Sequence, residues 1–293
     1  DKNRFRKTKF AAPRGIIEDY FGNAIASNTR IYQLHVTPEN TTNISKLLIR
    51  LKNLISLSDR RIILIEKQIK KQKKWETIII SDNLTWSEFS KINLFLHELD
   101  GAQPVVSVAR IYDNNASAHA IGYVSEISPR DIRNKDYLKN INISGIAVGK
   151  IGLESTYDES MLGSPGFLRY EVNAYGKKIK QVSIDEGLKG KTYRTTLDND
   201  VQIFAAKLLE NVSGAACVMD IYNGDIISMV SAPTFDPNSF VHGINKNEWN
   251  SLLNNRDKPM INKAISGLYP PGSTIKTLTA LSALENDVVN SKL

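Results

Sequence analysis

The sequence predicts an α+β fold in two units that meet near residue 192, and three observations carry that reading. Apolar residues recur at helical spacing from Ile44 to Ile55, and again behind a helix-capping sequence at Thr85 to Glu88. From Val105 to about Tyr193, short β-like runs alternate with glycine-rich turns. Past that point the pattern changes to a capped helix, a hairpin and further helices. Length agrees, since 293 residues at roughly 150 per domain give about two domains. With 41% hydrophobic and 24% charged residues, the composition is that of a globular chain and excludes a disordered or collagen-like one.

Residues 1 to 36 are polar and irregular, and Ile31 to Val36 reads as a strand or extended connector. Ile44, Leu47, Leu48, Leu51, Leu54 and Ile55 then mark one face of a helix that Thr41, Thr42 or Asn43 can cap. A second, basic helix follows, with Ile62, Ile65 and Ile69 turned inward. Thr77 to Ile80 reads as a strand. Thr85-Trp86-Ser87-Glu88 is a capping box, in which hydroxyl and carboxylate reciprocally satisfy free backbone donors, and Phe89, Ile92, Leu96 and Leu99 form the stripe behind it. Val105 to Tyr112, Leu168 to Val172 and Ile179 to Ile184 read as strands. Asp198 can cap a helix with Val201, Phe204, Ala205 and Leu208 on one face. Ala215 to Met219 and Ile226 to Val230, joined through Asn223-Gly224, read as a hairpin.

The net charge of +7 is unevenly spread: residues 1 to 10 carry +4, residues 60 to 74 carry +6, and the remainder sums to −3. Neither basic stretch is expected to interleave exposed aromatics that could stack on bases, so no nucleic-acid partner is expected and solvated faces are the default. The single cysteine, Cys217, cannot form an internal bridge, and its apolar run reads as a buried, inert thiol. Four scattered histidines, His35, His97, His119 and His242, do not make a metal cluster, so neither metal nor cofactor is expected. No run approaches the roughly 18 consecutive apolar residues that cross a bilayer.

The candidate chemistry lies in Tyr269-Pro270-Pro271-Gly272-Ser273-Thr274-Ile275-Lys276, which precedes a helical pattern with Leu278, Leu281 and Leu284 inward. The prolines forbid helix before Ser273 and the glycine permits a tight entry, placing Ser273 in the first helical turn. Lys276, three residues on, leaves the same face. A partly desolvated lysine loses the stability of its charged form, and its neutral amine can then take the serine proton, which is nucleophilic catalysis without histidine. By itself the pattern is weak, because 25 serines and 25 lysines give about two Ser-x-x-Lys matches by chance, and there is one.

Its context is more specific. Arg14-Gly15-Ile16-Ile17-Glu18-Asp19 with Gly22, Ala26 and Asn28, then Arg110-Ile111-Tyr112, His119 to Val124 and Gly149 to Glu154 through Gly166 resemble, in order, motifs of the class B penicillin-binding proteins. Glu171 to Gly176 is similar to a segment of the elongation type. Gly214 to Phe240 and Lys258 to Ala264 resemble the opening of the transpeptidase domain. The resemblance implies an elongated, non-catalytic pedestal of the dimerisation type over residues 1–191, followed by the first hairpin and helices of a penicilloyl serine transferase (α/β) domain over 192–293, truncated. It implies a peptidoglycan D,D-transpeptidase in which Ser273 attacks the D-Ala-D-Ala bond of a stem peptide with Lys276 as general base, and which β-lactams acylate. It further implies the SEDS glycosyltransferase RodA and the scaffold MreC as partners, and the periplasmic face of the bacterial inner membrane as location, through an anchor preceding Asp1. Arg14 and Asp19 resemble residues that link the N-terminal segment to the catalytic domain. His119 is expected to pack or hydrogen-bond, and Glu154 and Asp158 to pair with arginine or lysine.

The family's further motifs, Ser-x-Asn and Lys-Ser/Thr-Gly, do not follow Lys276, and Ser81-Asp82-Asn83 reads as a turn coincidence. The lysine and strand of the last motif would supply substrate recognition and an oxyanion donor, so this chain is expected to be inactive and to leave apolar surface bare on the hairpin and last helix. The alternatives are a non-catalytic interaction module of the elongation machinery, and a serine β-lactamase or penicillin sensor.

Overall fold

The computed structural model describes residues 5–74, 76–140, 143, 146–172 and 178–290. Strands β1 (Phe5–Phe10), β2 (Ile17–Glu18) and β3 (Ala24–Val36) open the chain. Helices α1 (Ile44–Leu54) and α2 (Asp59–Lys71), strand β4 (Ile78–Leu84), helix α3 (Trp86–Leu94) and strand β5 (Ala102–Tyr112) follow. β3 and β5 form an antiparallel ladder from Ala26↔Tyr112 to Val36↔Ala102, and β4 and β2 pair antiparallel along β3. Strand β10 (Tyr193–Arg194) adds to β2 in parallel.

The helices cover one face of this sheet because their apolar stripes have nowhere else to go. Asn43 caps α1 by accepting from Lys46 N, and Leu47, Leu48 and Leu51 are buried. Ser58 caps α2, which buries Ile65, turns Arg60, Lys67, Lys70 and Lys71 to water and ties Arg61 to Ile79 O and Ile80 O of β4. The capping box of α3 forms as the sequence predicts, with Thr85 and Glu88 exchanging backbone bonds. Leu34, Val36, Leu48, Leu51, Ile65, Ile78, Ile80 and Ile92 make one core, each fully buried side chain contributing about 1.5–3 kcal/mol. Ser81, Asp82 and Asn83 lie inside β4, so this tripeptide is strand and not the turn that was expected. Pairing of β4 with β3 carries it past Ile80, to Leu84 opposite Tyr32.

Short elements make the middle of the chain: helix α4 (Ala118–Ile121), strand β6 (Val124–Glu126), helix α5 (Pro129–Asn134), strand β7 (Ala147–Gly149), and helices α6 (Gly152–Thr156) and α7 (Asp158–Leu162). Strands β8 (Gly166–Val172) and β9 (Lys178–Asp185) join β1 in a three-stranded antiparallel sheet ordered β1-β8-β9. The expected motif Glu171 to Gly176 falls largely outside the described residues. Glycines permit close backbone approaches here: a Cβ on Gly149 would sit 1.9 Å from Glu154 O, and Gly122, at φ +83°, would meet Ile151 O at 1.9 Å.

The last third carries helix α8 (Asn199–Leu208), the hairpin β11 (Gly214–Met219) and β12 (Ile226–Ala232), and helices α9 (Asn238–Val241), α10 (Lys246–Asn254), α11 (Lys263–Ser266) and α12 (Ile275–Glu285). Asp198 caps α8 as expected, but the buried residue of that helix is Gln202, while Phe204 and Leu208 are exposed. Gln202 turns inward because every polar atom of its amide finds a partner: Nε2 donates to Ala116 O and Met229 O, and Oε1 accepts from Met229 N and Ser228 Oγ. Cys217 is exposed, not buried, because among the described residues β11 pairs with β12 alone and none covers its outer side.

Candidate functional site

Ser273 lies in a 3₁₀ turn, Gly272–Thr274, that runs directly into α12, with Lys276 as the second residue of that helix. Pro270 and Pro271 lack N–H groups, Gly272 adopts φ +54°, and Thr274 N donates to Pro271 O at 3.2 Å, which together turn the chain into the helix. Three residues separate the two, the spacing at which side chains become neighbours along a helix. Both are exposed. The expected desolvation of Lys276 and inward packing of Leu278, Leu281 and Leu284 are absent: no residue of α12 is buried, and those leucines are 40–67% exposed. An amphipathic stripe is buried only against another layer, and these residues place none over it.

The scattered N-terminal motifs converge instead on a buried ionic hub. Glu154, with no exposed surface, takes Arg14 Nε at 2.7 Å on one carboxylate oxygen and Arg110 Nε at 2.6 Å on the other, where Tyr112 Oη also donates. Asp158 takes Arg14 Nη2 and Gly149 N at 2.8 Å on Oδ1, and Lys135 Nζ and the Tyr137 hydroxyl on Oδ2. Arg110 Nη1 donates to Gly15 O, and Asn28 Nδ2 to Arg14 O. Every charge here has a partner of opposite sign, so the expectation that Glu154 and Asp158 pair with basic residues holds. Lys135 and Tyr137 were not foreseen, since they sit in a polar segment without periodicity.

Burial alone would raise the Asp158 carboxyl pKa and lower that of the Arg14 guanidinium. Their mutual attraction, together with the bonds from Lys135, Tyr137 and Gly149, reverses both, leaving Asp158 below and Arg14 above the ordinary value. A carboxyl with a depressed folded pKa stabilises the fold above its unfolded pKa, near 3.8, and loses that contribution as pH falls through the folded value. The thermal midpoint is therefore expected to fall steeply below about pH 4. In Asp158→Asn a lower midpoint at neutral pH should be accompanied by a smaller drop in this window, measured by circular dichroism melts.

Arg14 does not reach the C-terminal third, contrary to the linking role expected of it: its side-chain partners are Glu154 and Asp158. Asp19 holds its own turn by accepting from Asn23 N at 2.7 Å and Asn23 Nδ2 at 3.0 Å. Much of the link is made by residues 112 to 123. Asn238 exchanges two 3.0 Å bonds with the backbone of Tyr112, Thr234 Oγ1 donates to Asn115 O, and Gln202 holds Ala116 O. His119, its basicity lowered by burial, bonds Pro259 O through Nε2 at 2.8 Å and stands edge-on to Phe235. Tyr123 stacks on Phe240 at 4.0 Å between ring centres. The role of His119 as a packed, hydrogen-bonded residue is as expected, while those of Asn238 and Gln202 were not read from sequence.

An α+β pedestal knit by this hub, followed by a hairpin and a helix that starts at Ser-x-x-Lys, defines the class. Residues 9–195 match the penicillin-binding protein dimerisation domain and residues 214–292 the penicillin-binding protein transpeptidase domain. The chain belongs to the penicillin-binding proteins. It is 32% identical over 293 residues to the peptidoglycan D,D-transpeptidase MrdA of Escherichia coli K12, covering 99% of this chain and 46% of that one. To MrdA of Acinetobacter baumannii it is 30% identical over 291 residues, covering 99% and 43%. The chain thus spans less than half the length of these curated relatives. Its fold matches the penicillin-binding protein PBP2 of Helicobacter pylori in complex with MreC, with a TM-score of 0.77 at 24% identity over 99% of this chain and 54% of that one.

Proposed function

We propose that this chain forms the pedestal and the opening of the catalytic domain of an elongation-type peptidoglycan D,D-transpeptidase, divided near residue 192. The reading is supported by a helix that starts within Ser273-Thr274-Ile275-Lys276 and is entered through Pro270, Pro271 and Gly272, in a chain similar to MrdA over nearly its whole length. In the complete enzyme Ser273 Oγ attacks the carbonyl of the terminal D-Ala-D-Ala bond while Lys276 removes its proton. D-Alanine leaves with a proton, and the amine of a neighbouring stem peptide resolves the acyl-enzyme into a cross-link. A β-lactam acylates the same oxygen and remains. The natural setting is the periplasmic face of the inner membrane, beside a SEDS glycosyltransferase of the RodA type. A scaffold of the MreC type is supported by the H. pylori neighbour, whose complex has that composition.

For the 293 residues themselves we propose no catalysis. Ser273 and Lys276 stand in water, and neither Ser-x-Asn nor Lys-Ser/Thr-Gly follows Lys276 to complete a substrate cleft. Intact-mass measurement after exposure to a fluorescent penicillin tests both halves: a complete protein carrying this sequence gains one adduct, on the peptide containing Ser273, and the 293-residue chain gains none at matched time. An unlabelled complete protein would sink the enzymatic reading, and equal labelling of the short chain would sink the second half. Rapid hydrolysis of the drug in place of a persistent adduct would favour a β-lactamase.

A further inference from the structure

Positive charge is concentrated on the β1-β8-β9 sheet, whose three strands carry six basic residues against two acidic ones. Register places Phe5, Lys7 and Lys9 of β1 opposite Glu171, Arg169 and Phe167 of β8, and these in turn opposite Lys180, Ser183 and Asp185 of β9, so all nine share one face. On that face cations lie over rings: Lys7 Nζ is 3.5 Å from the Phe167 ring centre and the Arg169 guanidinium 4.9 Å from that of Phe5. Lys7, Lys9, Arg169 and Lys180 are exposed. The face thus carries four cations, Lys7, Lys9, Arg169 and Lys180, beside two carboxylates, Glu171 and Asp185, while Phe10, Leu168 and Ile184 occupy the reverse side by the same register.

We propose that this cationic face docks on anionic phospholipid headgroups. The inference rests on the reading that the chain works at the inner-membrane surface. Charge complementarity selects the occupant: a headgroup layer is a plane of phosphates, and an open three-stranded sheet offers it a row of cations with aromatic rings between them, the pairing that suits a membrane interface. The other basic element, α2, exposes Arg60, Lys67, Lys70 and Lys71 around a helix whose apolar stripe is already buried in the core.

Flotation of the 293-residue chain with phosphatidylcholine vesicles, with and without phosphatidylglycerol, tests the proposal. Binding is expected only with the anionic lipid and should weaken steeply as salt rises. The variant Lys7→Gln/Lys9→Gln/Arg169→Gln should lose about fivefold per charge, or about a hundredfold in all, whereas Lys67→Gln/Lys70→Gln/Lys71→Gln on α2 should stay within about twofold of the parent. Thermal melts matched to the parent establish that the variants fold, and Lys9→Gln alone, with about fivefold loss, provides a milder second variant. No binding, equal binding to neutral vesicles, equal loss in the α2 variant, or preference for an acidic protein partner over the vesicles overturns it. Vesicle binding is read without penicillin, so its failure leaves the Ser273 reading standing, and failure of acylation leaves the lipid result standing.

Discussion

Replacing Glu154 with alanine is expected to destabilise the protein by about 3–5 kcal/mol, read as a fall in the urea midpoint. Removing this carboxylate leaves Arg14 and Arg110 buried beside one another, each deprived of its 2.7 Å or 2.6 Å partner, and strips the Tyr112 hydroxyl of an acceptor. Two buried guanidinium groups without their shared counter-charge cost far more than a lost surface pair, for which about 0–1 kcal/mol is usual. Against a total stability of about 5–15 kcal/mol, such a loss takes the first two-thirds of the chain close to unfolding. Glu154→Gln keeps the shape and one acceptor oxygen but not the charge, and should fall between alanine and the parent. A double-mutant cycle pairing Glu154→Gln with Arg110→Met should give a coupling of at least about 0.5 kcal/mol, because the methionine removes one of the stranded charges. An alanine variant within about 1 kcal/mol of the parent would mean that water reaches the hub.

How much of this was legible in the sequence depends on where each signal resides. Local rules placed α1, α2, α3, α8 and the β11–β12 hairpin, since caps, periodic stripes and an Asn-Gly turn act within a few residues of themselves. Long-range pairing was harder: that Arg14, Arg110, Glu154 and Asp158 form one cluster depends on contacts up to 140 residues apart, which no local pattern encodes. Burial on α8 was misread because Phe204 looks like a core residue and Gln202 does not. The amide wins only because Ala116, Ser228 and Met229 happen to present complementary groups. Cys217 failed for the related reason that an apolar run in a strand says nothing about whether a second layer covers it. Ser273 and Lys276 were readable as a spacing, and the 3₁₀ entry follows from the prolines, but the solvent around Lys276 is a property of what packs there.

That solvent frames the other large effect. In a complete protein carrying this sequence, Ser273→Ala is expected to abolish covalent penicillin labelling, and Lys276→Met to slow it by about 10²–10⁴-fold, the range for loss of a positioned general base. Lysine serves as a base only in its neutral form, and burial is what favours that form over the ammonium. In the 293-residue chain Lys276 is exposed and the neighbouring Ile275 and Leu278 are 49% and 67% exposed, so the desolvation that the mechanism requires must come from residues packed onto α12. Covering that stripe would therefore bury the leucines and take water from around Lys276 in one event, coupling that packing to activation of the serine. The coupling predicts a signature beyond a dead variant: Leu278→Ala or Leu281→Ala, on the same helix as Lys276, should move the pH profile of acylation toward higher pH. A packing substitution that only destabilised the domain would lower the labelled fraction at every pH and leave the midpoint of the profile unchanged.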